Sequence, residues 1–558
     1  MIYKFTSQSR DYSEYTIDPL LQINPIESKL FHNDNFEIIN NNIIIKESDF
    51  RENQFHCGVL ILQGNKTFGK AKKGKMFYKC IPYEKELPIF LIPYELRIGF
   101  NKNHINKYVM FSFDHWEDKH PIGILKETFG NVDNFSSFCS YQLWCKNLVY
   151  SNAQFQRQVK FCVKHTNEEG IFKNIFEKYR LVDKTKEYVF SIDPQGSKDI
   201  DDAFTIIDLE NDCYQINIHI ANVYVLLDYL ELWTFLTNRV STIYLPEERK
   251  TMLPELLSEN LCSLLENKTR VAFTMEIIYK NGTIQSTNFF NSLICVSNNY
   301  NYDETRLLEN KNYQNMFNVT KQLDNDVTDS HELVSFWMVY MNKTIAEILQ
   351  KNCTGVFRVV ESKNNVTFAS NDSVIKNTLE TWNNTGSYRL FSPNSIFFHK
   401  TLEASHYVHI TSPIRRIVDI VNQIYFFNSH FQASLKKECV DFLKKFETNI
   451  EQVNTDMKSI KKIQSECDLL YLCSHNNEFM EMIHEGFVFN KTWNKDIYVY
   501  QVYLKKINKI SFFKTTLDLN ENSLYCFKLY LFDQENSGHR KIRIGMVENT
   551  DKIDLQSI

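Results

Sequence analysis

Four aspartates, Asp193, Asp199, Asp201 and Asp202, fall within ten residues of one stretch, 191–205, which reads SIDPQGSKDIDDAFT. Residues 188–192 before them and 203–207 after them are runs of aromatic and β-branched residues. Such runs suit short buried strands. Asp193-Pro194 and Gly196-Ser197 break the chain between them. The carboxylates are therefore expected on a loop anchored at both ends, not on a solvated helix face. Two full negative charges ~4 Å apart repel by roughly 4 kcal/mol at an effective dielectric of ~20, so protons or cations must compensate. Asp199 and Asp201 share one side of an extended chain, and Asp202 converges with them only if the loop turns. Two readings stand at this point: a polar turn with Asp caps, and a site for a hard divalent ion. Paired ions serve displacement at phosphorus. A calcium loop fits poorly, because no glycine follows at the sharp turn.

A chain of 558 residues is too long for one ordinary core and suggests three or four domains. With 43 % hydrophobic and 23 % charged residues, extensive disorder is not expected. A net charge of −5 neither announces nor excludes a nucleic-acid binder, since the spread of charge matters more than its sum. The 13 cysteines include no C-x-x-C pair, so neither a zinc ribbon nor a disulfide framework is indicated. No apolar leader-like stretch and no run of 18 apolar residues occurs. The expected setting is a reducing, cytoplasmic compartment with no membrane partner.

Residues 1–50 are polar and carry no usable motif. Strand patterns begin near Cys57, and within them lies a basic run with Lys70, Lys72, Lys73, Lys75 and Lys79 among aromatics. That mixture suits a small β-barrel that stacks bases and tracks phosphates; a solvated hairpin tip is the plainer reading. Strands continue to about Val149, so one or two OB-like barrels are expected over 51–155. Residues 155–180 read as helical. Residues 214–220 alternate, which makes 208–212 a hairpin turn and turns His219 away from the isoleucines as a packing or surface residue. Residues 331–350 form an amphipathic helix with Phe336, Met338 and Met341 in the core.

The second informative stretch is 407–419, YVHITSPIRRIVD. Thr411 and Ser412 offer cap oxygens and Pro413 fits a first helical turn, which places Arg415 and Arg416 at a helix N-terminus. Arginines there suit an anionic guest such as phosphate; the alternative is a wet Arg415–Asp419 pair. Residues 486–558 are again strand-like, with eleven Lys/Arg against eight Asp/Glu, and a second nucleic-acid-binding barrel is expected.

Taken together these segments resemble the ribonuclease II (RNB) family. DPQGSKDIDDA resembles its acidic signature and HITSPIRR its arginine signature, with IHIANV and residues 239–263 between them in the family's order. The resemblance covers roughly 170–475. Residues 116–130 look like the second cold-shock-type domain of eukaryotic members, and the terminal segment like the family's final OB domain. The fold it implies is α+β: an RNB catalytic domain (mixed sheet with surrounding helices) over 156–480, flanked by small OB-like barrels, the last at 486–558.

The activity it implies is a magnesium-dependent 3′→5′ exoribonuclease that degrades single-stranded RNA to nucleoside 5′-monophosphates. Two metal ions are expected, with manganese as the substitute, and the chain would act as a monomer or within an RNA-decay assembly. The alternative is an RNB-type scaffold that grips RNA without cutting. By resemblance, Asp193 and Asp202 match metal positions, Asp199 supports the cluster and the metal, and Asp201 is both metal ligand and the position closest to catalysis. Arg415 steadies the phosphate. Tyr244 stacks on a terminal base, and Arg239, Arg416 and the lysines of 70–75 contact RNA. Asn222, Ile417, Asn422 and Gln423 depart from the family pattern, and Glu466 is the nearest match to a late supporting acid.

Overall fold

The computed structural model describes residues 1–96, 104–363, 372–494, 497–533 and 540–547. They divide into two compact units, one of residues 1–149, 245–247 and 461–558, the other of 150–244 and 248–460.

The second unit is built on a closed five-stranded barrel of Val182–Asp193, Asp202–Asp208, Cys213–Ala221, Thr269–Lys280 and Thr283–Asn301. Neighbours pair antiparallel except the closing pair, in which Val182–Asp193 runs parallel to Thr283–Asn301. One face of the middle strands is apolar, with Phe204 opposite Ile218 and Ile206 opposite Ile216. The other face carries a buried polar ladder. There His219 bonds Thr205 and Thr274, and Thr274 meets Ser292 at 2.6 Å. His219 does turn away from the isoleucines, but it is fully buried, because both faces of this strand are covered.

Helices surround the barrel. The expected helix over 155–180 is two, Ala153–His165 and Glu168–Tyr179, divided where the Asn167 side chain caps the second. Ser330–Lys351 is a single helix, but its buried side is Leu333, Trp337, Met341 and Ile345; Phe336 and Met338 are only half-buried. The helix expected to open at Pro413 begins instead at Ile417 and ends at Ser429. Two two-stranded pairs, the hairpin of Val356–Ser362 with Asn384–Leu390 and the short pair Ile243–Tyr244 with Arg249–Lys250, complete this unit's sheet structure among the described residues.

In the first unit, residues 1–50 are not a featureless extension. Four strands, Ile2–Ser7, Tyr15–Asp18, Asn35–Ile39 and Asn42–Glu47, form an antiparallel sheet. Its Phe5, Phe31 and Phe36 share one core with Phe50, Phe90, Phe111 and Trp116. A single closed barrel follows, of His56–Leu60, Met76–Pro82, Phe90–Tyr94, Lys107–His115 and Ile122–Asn131. Residues 116–130 thus supply that barrel's last strand. The C-terminal segment is a five-stranded antiparallel sheet with its own core around Val488, Tyr500, Val502 and Phe527. Among the described residues no helix is long and apolar enough to cross a membrane.

Candidate active site

The acid loop leaves the barrel at Asp193 and re-enters it at Asp202. Gly196, at φ +79, makes the turn that Ser197 N–H closes onto the Pro194 carbonyl at 3.1 Å. A left-handed φ of this kind suits glycine. Ser263 then pins the descending limb: its hydroxyl donates to the Lys198 carbonyl at 2.8 Å and accepts from Ile200 N–H at 2.9 Å. Ser263 is fully buried. The Ala221 N–H donates to the Asp201 carbonyl at 2.8 Å, which fixes the backbone where the carboxylates converge.

The second loop, residues 411–416, is held from both sides. Thr242 N–H and the Ser241 hydroxyl donate to the Arg415 carbonyl at 3.0 and 2.8 Å, and Ile417 N–H donates to the Val240 carbonyl at 2.9 Å. So anchored, it delivers two donors to one carboxylate. Ile414 N–H reaches Asp201 Oδ1 at 2.8 Å, and Arg415 Nε reaches Asp201 Oδ2 at 3.2 Å. Asp201 is 3 % exposed, while the Arg415 side chain is 44 % exposed. Residues more than two hundred positions apart therefore meet with the acid inside and the guanidinium reaching towards solvent.

The electrostatics follow from burial. Asp201 is pushed up to about 7 by desolvation, against the pull of Arg415 and the Ile414 N–H. Asp193 is raised to about 6, again by burial, with the Ser191 hydroxyl at 2.8 Å working the other way. Asp202 is raised well above the usual carboxylate range, by burial first and then by Asp193 and Asp201. A group of acids that raise one another in this way is a place where a cation lowers the energy. Among the described residues no three His, Cys, Asp or Glu side chains are already arranged as a metal cage. The mutually repelling pair Asp193 and Asp202 fits the way magnesium uses one or two carboxylates and completes its shell from substrate phosphate.

Asp199 lies close enough to raise both Asp193 and Asp201, but it has partners of its own. Its oxygens accept from the Tyr244 hydroxyl at 2.7 Å and from Arg249, which also grips Glu259. Tyr244 stays 38 % exposed on a short strand, directly opposite Arg249. Sequence reasoning missed Arg249, whose signal was only a charged run in 247–250. It also missed Tyr302, whose N–H donates to the Asp193 carbonyl at 3.2 Å and whose ring stacks on His331 at 3.6 Å. Asp202 and Asp193, after burial, push the Tyr302 phenol up.

Other expected contacts lie elsewhere. Arg416 is buried against Asp419 at 2.9 Å. The Arg239 fork donates to the Thr251 and Tyr150 carbonyls, each at 2.9 Å. Both guanidiniums thus have donors engaged inside the protein. Arg239 also lines a cavity of about 390 Å³ with Trp233, Ile417, Phe442 and Asp456, which contains none of the four aspartates. In the first unit Lys70, Lys72 and Lys75 are exposed around a turn at Lys72–Gly74; the Lys73 side chain lies outside the described residues. Glu466 pairs with Lys462 at 3.9 Å on a helix surface.

The four departures from the family pattern are all buried. Three of them stitch backbone. Asn222 caps the helix Val223–Tyr229 and bonds Asn291. Asn422 binds Val356 through both N–H and carbonyl, and Gln423 links Tyr224 N–H to the Ala221 carbonyl. Ile417 packs at the start of its helix.

Comparison with known proteins bears on the domain and the fold. The RNB domain matches over residues 182–324 and 307–427. DIS3-like exonuclease 2 of Schizosaccharomyces pombe is 30 % identical over 206 residues, 35 % of this chain and 22 % of that protein. The chain thus spans under a quarter of that relative. Ribonuclease R of Chlamydia pneumoniae is 23 % identical over 500 residues, 71 % of this chain and 72 % of that one. Among solved structures, Mycoplasma genitalium RNase R in complex with ribose-methylated single-stranded RNA superposes with a TM-score of 0.68, 15 % identity, and coverage of 97 % of this chain and 99 % of that one. Yeast Ssd1, a pseudonuclease, shares the fold at a TM-score of 0.60 and 14 % identity, over 92 % and 78 % of the two chains. Both signatures, which meet at Asp201, lie inside the region that matches the RNB domain, residues 182–427.

Proposed function

We propose that this chain is a hydrolytic 3′→5′ exoribonuclease that shortens single-stranded RNA and releases nucleoside 5′-monophosphates. The observation that carries the reading is the double clamp on Asp201, by Ile414 N–H and by Arg415, beside the half-buried pair Asp193 and Asp202. The relatives named exonuclease and ribonuclease R support it by chemistry of the same kind. Asp193 and Asp202 would hold magnesium, which would supply activation of water and neutralisation of charge on phosphate.

The chain's own residues do the rest. Arg415 has its Nε on Asp201 and one terminal nitrogen on the Ser412 hydroxyl at 3.1 Å, and its half-exposed end faces the position of an incoming phosphate. Charge that grows on the phosphoryl oxygens during displacement is met there by a donor already in place. Asp201, unable to rotate between its two donors, orients the attacking water from below. Tyr244, tethered through its hydroxyl to Asp199, keeps a ring edge open for the terminal base.

The test is the shortening of 5′-labelled oligoadenylate in magnesium. Asp201→Asn and chelation by EDTA should each abolish it, while Asp201→Asn still binds the RNA. Equal decay by wild type and Asp201→Asn would overturn the assignment. Binding without decay in magnesium or manganese would favour the non-cutting scaffold instead.

A further inference from the structure

The hairpin of Val356–Ser362 and Asn384–Leu390 carries an arginine that the acid site does not use. Arg358 stands directly opposite Tyr388, and its guanidinium lies 4.8 Å from the centre of that ring. Gly386, on the same strand as Tyr388, leaves the space: a Cβ there would come within 2.2 Å of Arg358 Nη2. Among the described residues the Arg358 side chain has no hydrogen bond and no ion pair, and none of its nitrogens is sealed from solvent. The reason lies in strand alternation. Glu361, the hairpin's one carboxylate, falls on the other face and pairs there with Arg389 at 2.7 Å.

The surroundings are positive. Arg416, Arg358 and Arg415 all lie close enough to His409 to reinforce the burial that keeps its imidazole neutral, and Arg358 acts likewise on His399. Arg416 is balanced by Asp419 and Arg415 by Asp201. Among the described residues no carboxylate pairs with Arg358. A guanidinium stacked on an aromatic ring has already lost much of its conformational freedom, so its planar fork is pre-organised for a tetrahedral anion.

We infer that Arg358 binds a backbone phosphate of the RNA, upstream of the bond met by Arg415. The inference rests on the RNA-cutting reading of the acid site and adds to it a second phosphate contact on a separate element. The binding energy gained there is the same before and during the reaction, so it acts on substrate affinity and not on the chemical step.

The test uses the full chain. Binding of a 5′-fluorescein oligoadenylate is titrated against KCl in the Asp201→Asn background, with and without Arg358→Gln. Loss of one phosphate contact should reduce the slope of log K against log[KCl] by about 0.7 and weaken binding about tenfold at low salt. In the cutting protein, Arg358→Gln should raise KM and leave kcat within about twofold. An unchanged slope in a variant that melts like its parent overturns the inference and leaves the acid-site reading standing. Should Arg358→Gln melt early, Arg358→Lys decides: the slope stays, affinity falls severalfold, and equal affinity overturns the inference. A parent protein that neither binds nor cuts RNA overturns both.

Discussion

Asp199 and Asp201 are two positions apart, and each largely buried carboxylate meets a different arginine. Asp201 is buried between a backbone donor and a guanidinium; Asp199 is held by Tyr244 and Arg249. The difference sets distinct consequences for their partners. Arg415→Ala removes a charged donor from the phosphate position and should lower kcat by about a hundredfold or more, read in single-turnover decay of labelled RNA. Tyr244→Ala should instead alter the length of the final short product, seen on a sequencing gel, with a much smaller effect on the initial rate. An unchanged end product would remove Tyr244 from the substrate path.

At the scale of elements, the barrel's polar ladder makes stability depend on pH. His219 is buried with hydroxyl partners and no carboxylate, and desolvation lowers it to about 3. A group depressed in the folded state contributes stability that is present above its unfolded value near 6.5 and is lost as pH falls towards the folded value. Between pH 6.5 and 5 this amounts to up to about 2 kcal/mol. Denaturant unfolding at those two pH values should show the loss, and His219→Asn should show less of it; an equal loss would mean other groups carry the acid sensitivity. The helix after the arginine loop makes a second point at this scale. Thr411, Ser412 and Pro413 have the composition of a helix start, yet the helix opens four residues later. The Ile414 N–H is donated to Asp201, and the Ser412 N–H to Asp419. Tertiary acceptors thus took the donors that a first helical turn would otherwise leave free.

At the scale of the molecule, each unit has a core of its own, and the exposed basic turn belongs to the unit without the acid loop. If RNA is gripped there, changing Lys70, Lys72 and Lys75 together to alanine should lower affinity and reduce the salt slope by about 2, while single-turnover decay at saturating RNA is little changed. A full slope in the triple variant would make the turn a solvated tip. The charge of the whole chain said little about this, because a net −5 averages an exposed basic turn with a loop whose Asp201 is buried.

By itself the sequence determined the local patterns: alternation over 214–220, the turn at 208–212, strands on either side of the acids, and two signatures that resemble those of one family. These depend on neighbours in the chain, where periodicity and turn chemistry act directly. Only the tertiary structure decided that Asp201 is the acid clamped by the arginine loop, and that Arg249 holds Asp199. It also decided that Arg416 and Arg239 spend their donors inside the protein, and that Asn222, Asn422 and Gln423 tie backbone together. The partners of Asp199 and Asp201, and the burial that sets their charge, come from residues between 45 and 214 positions away. No window along the chain contains both ends of such a contact.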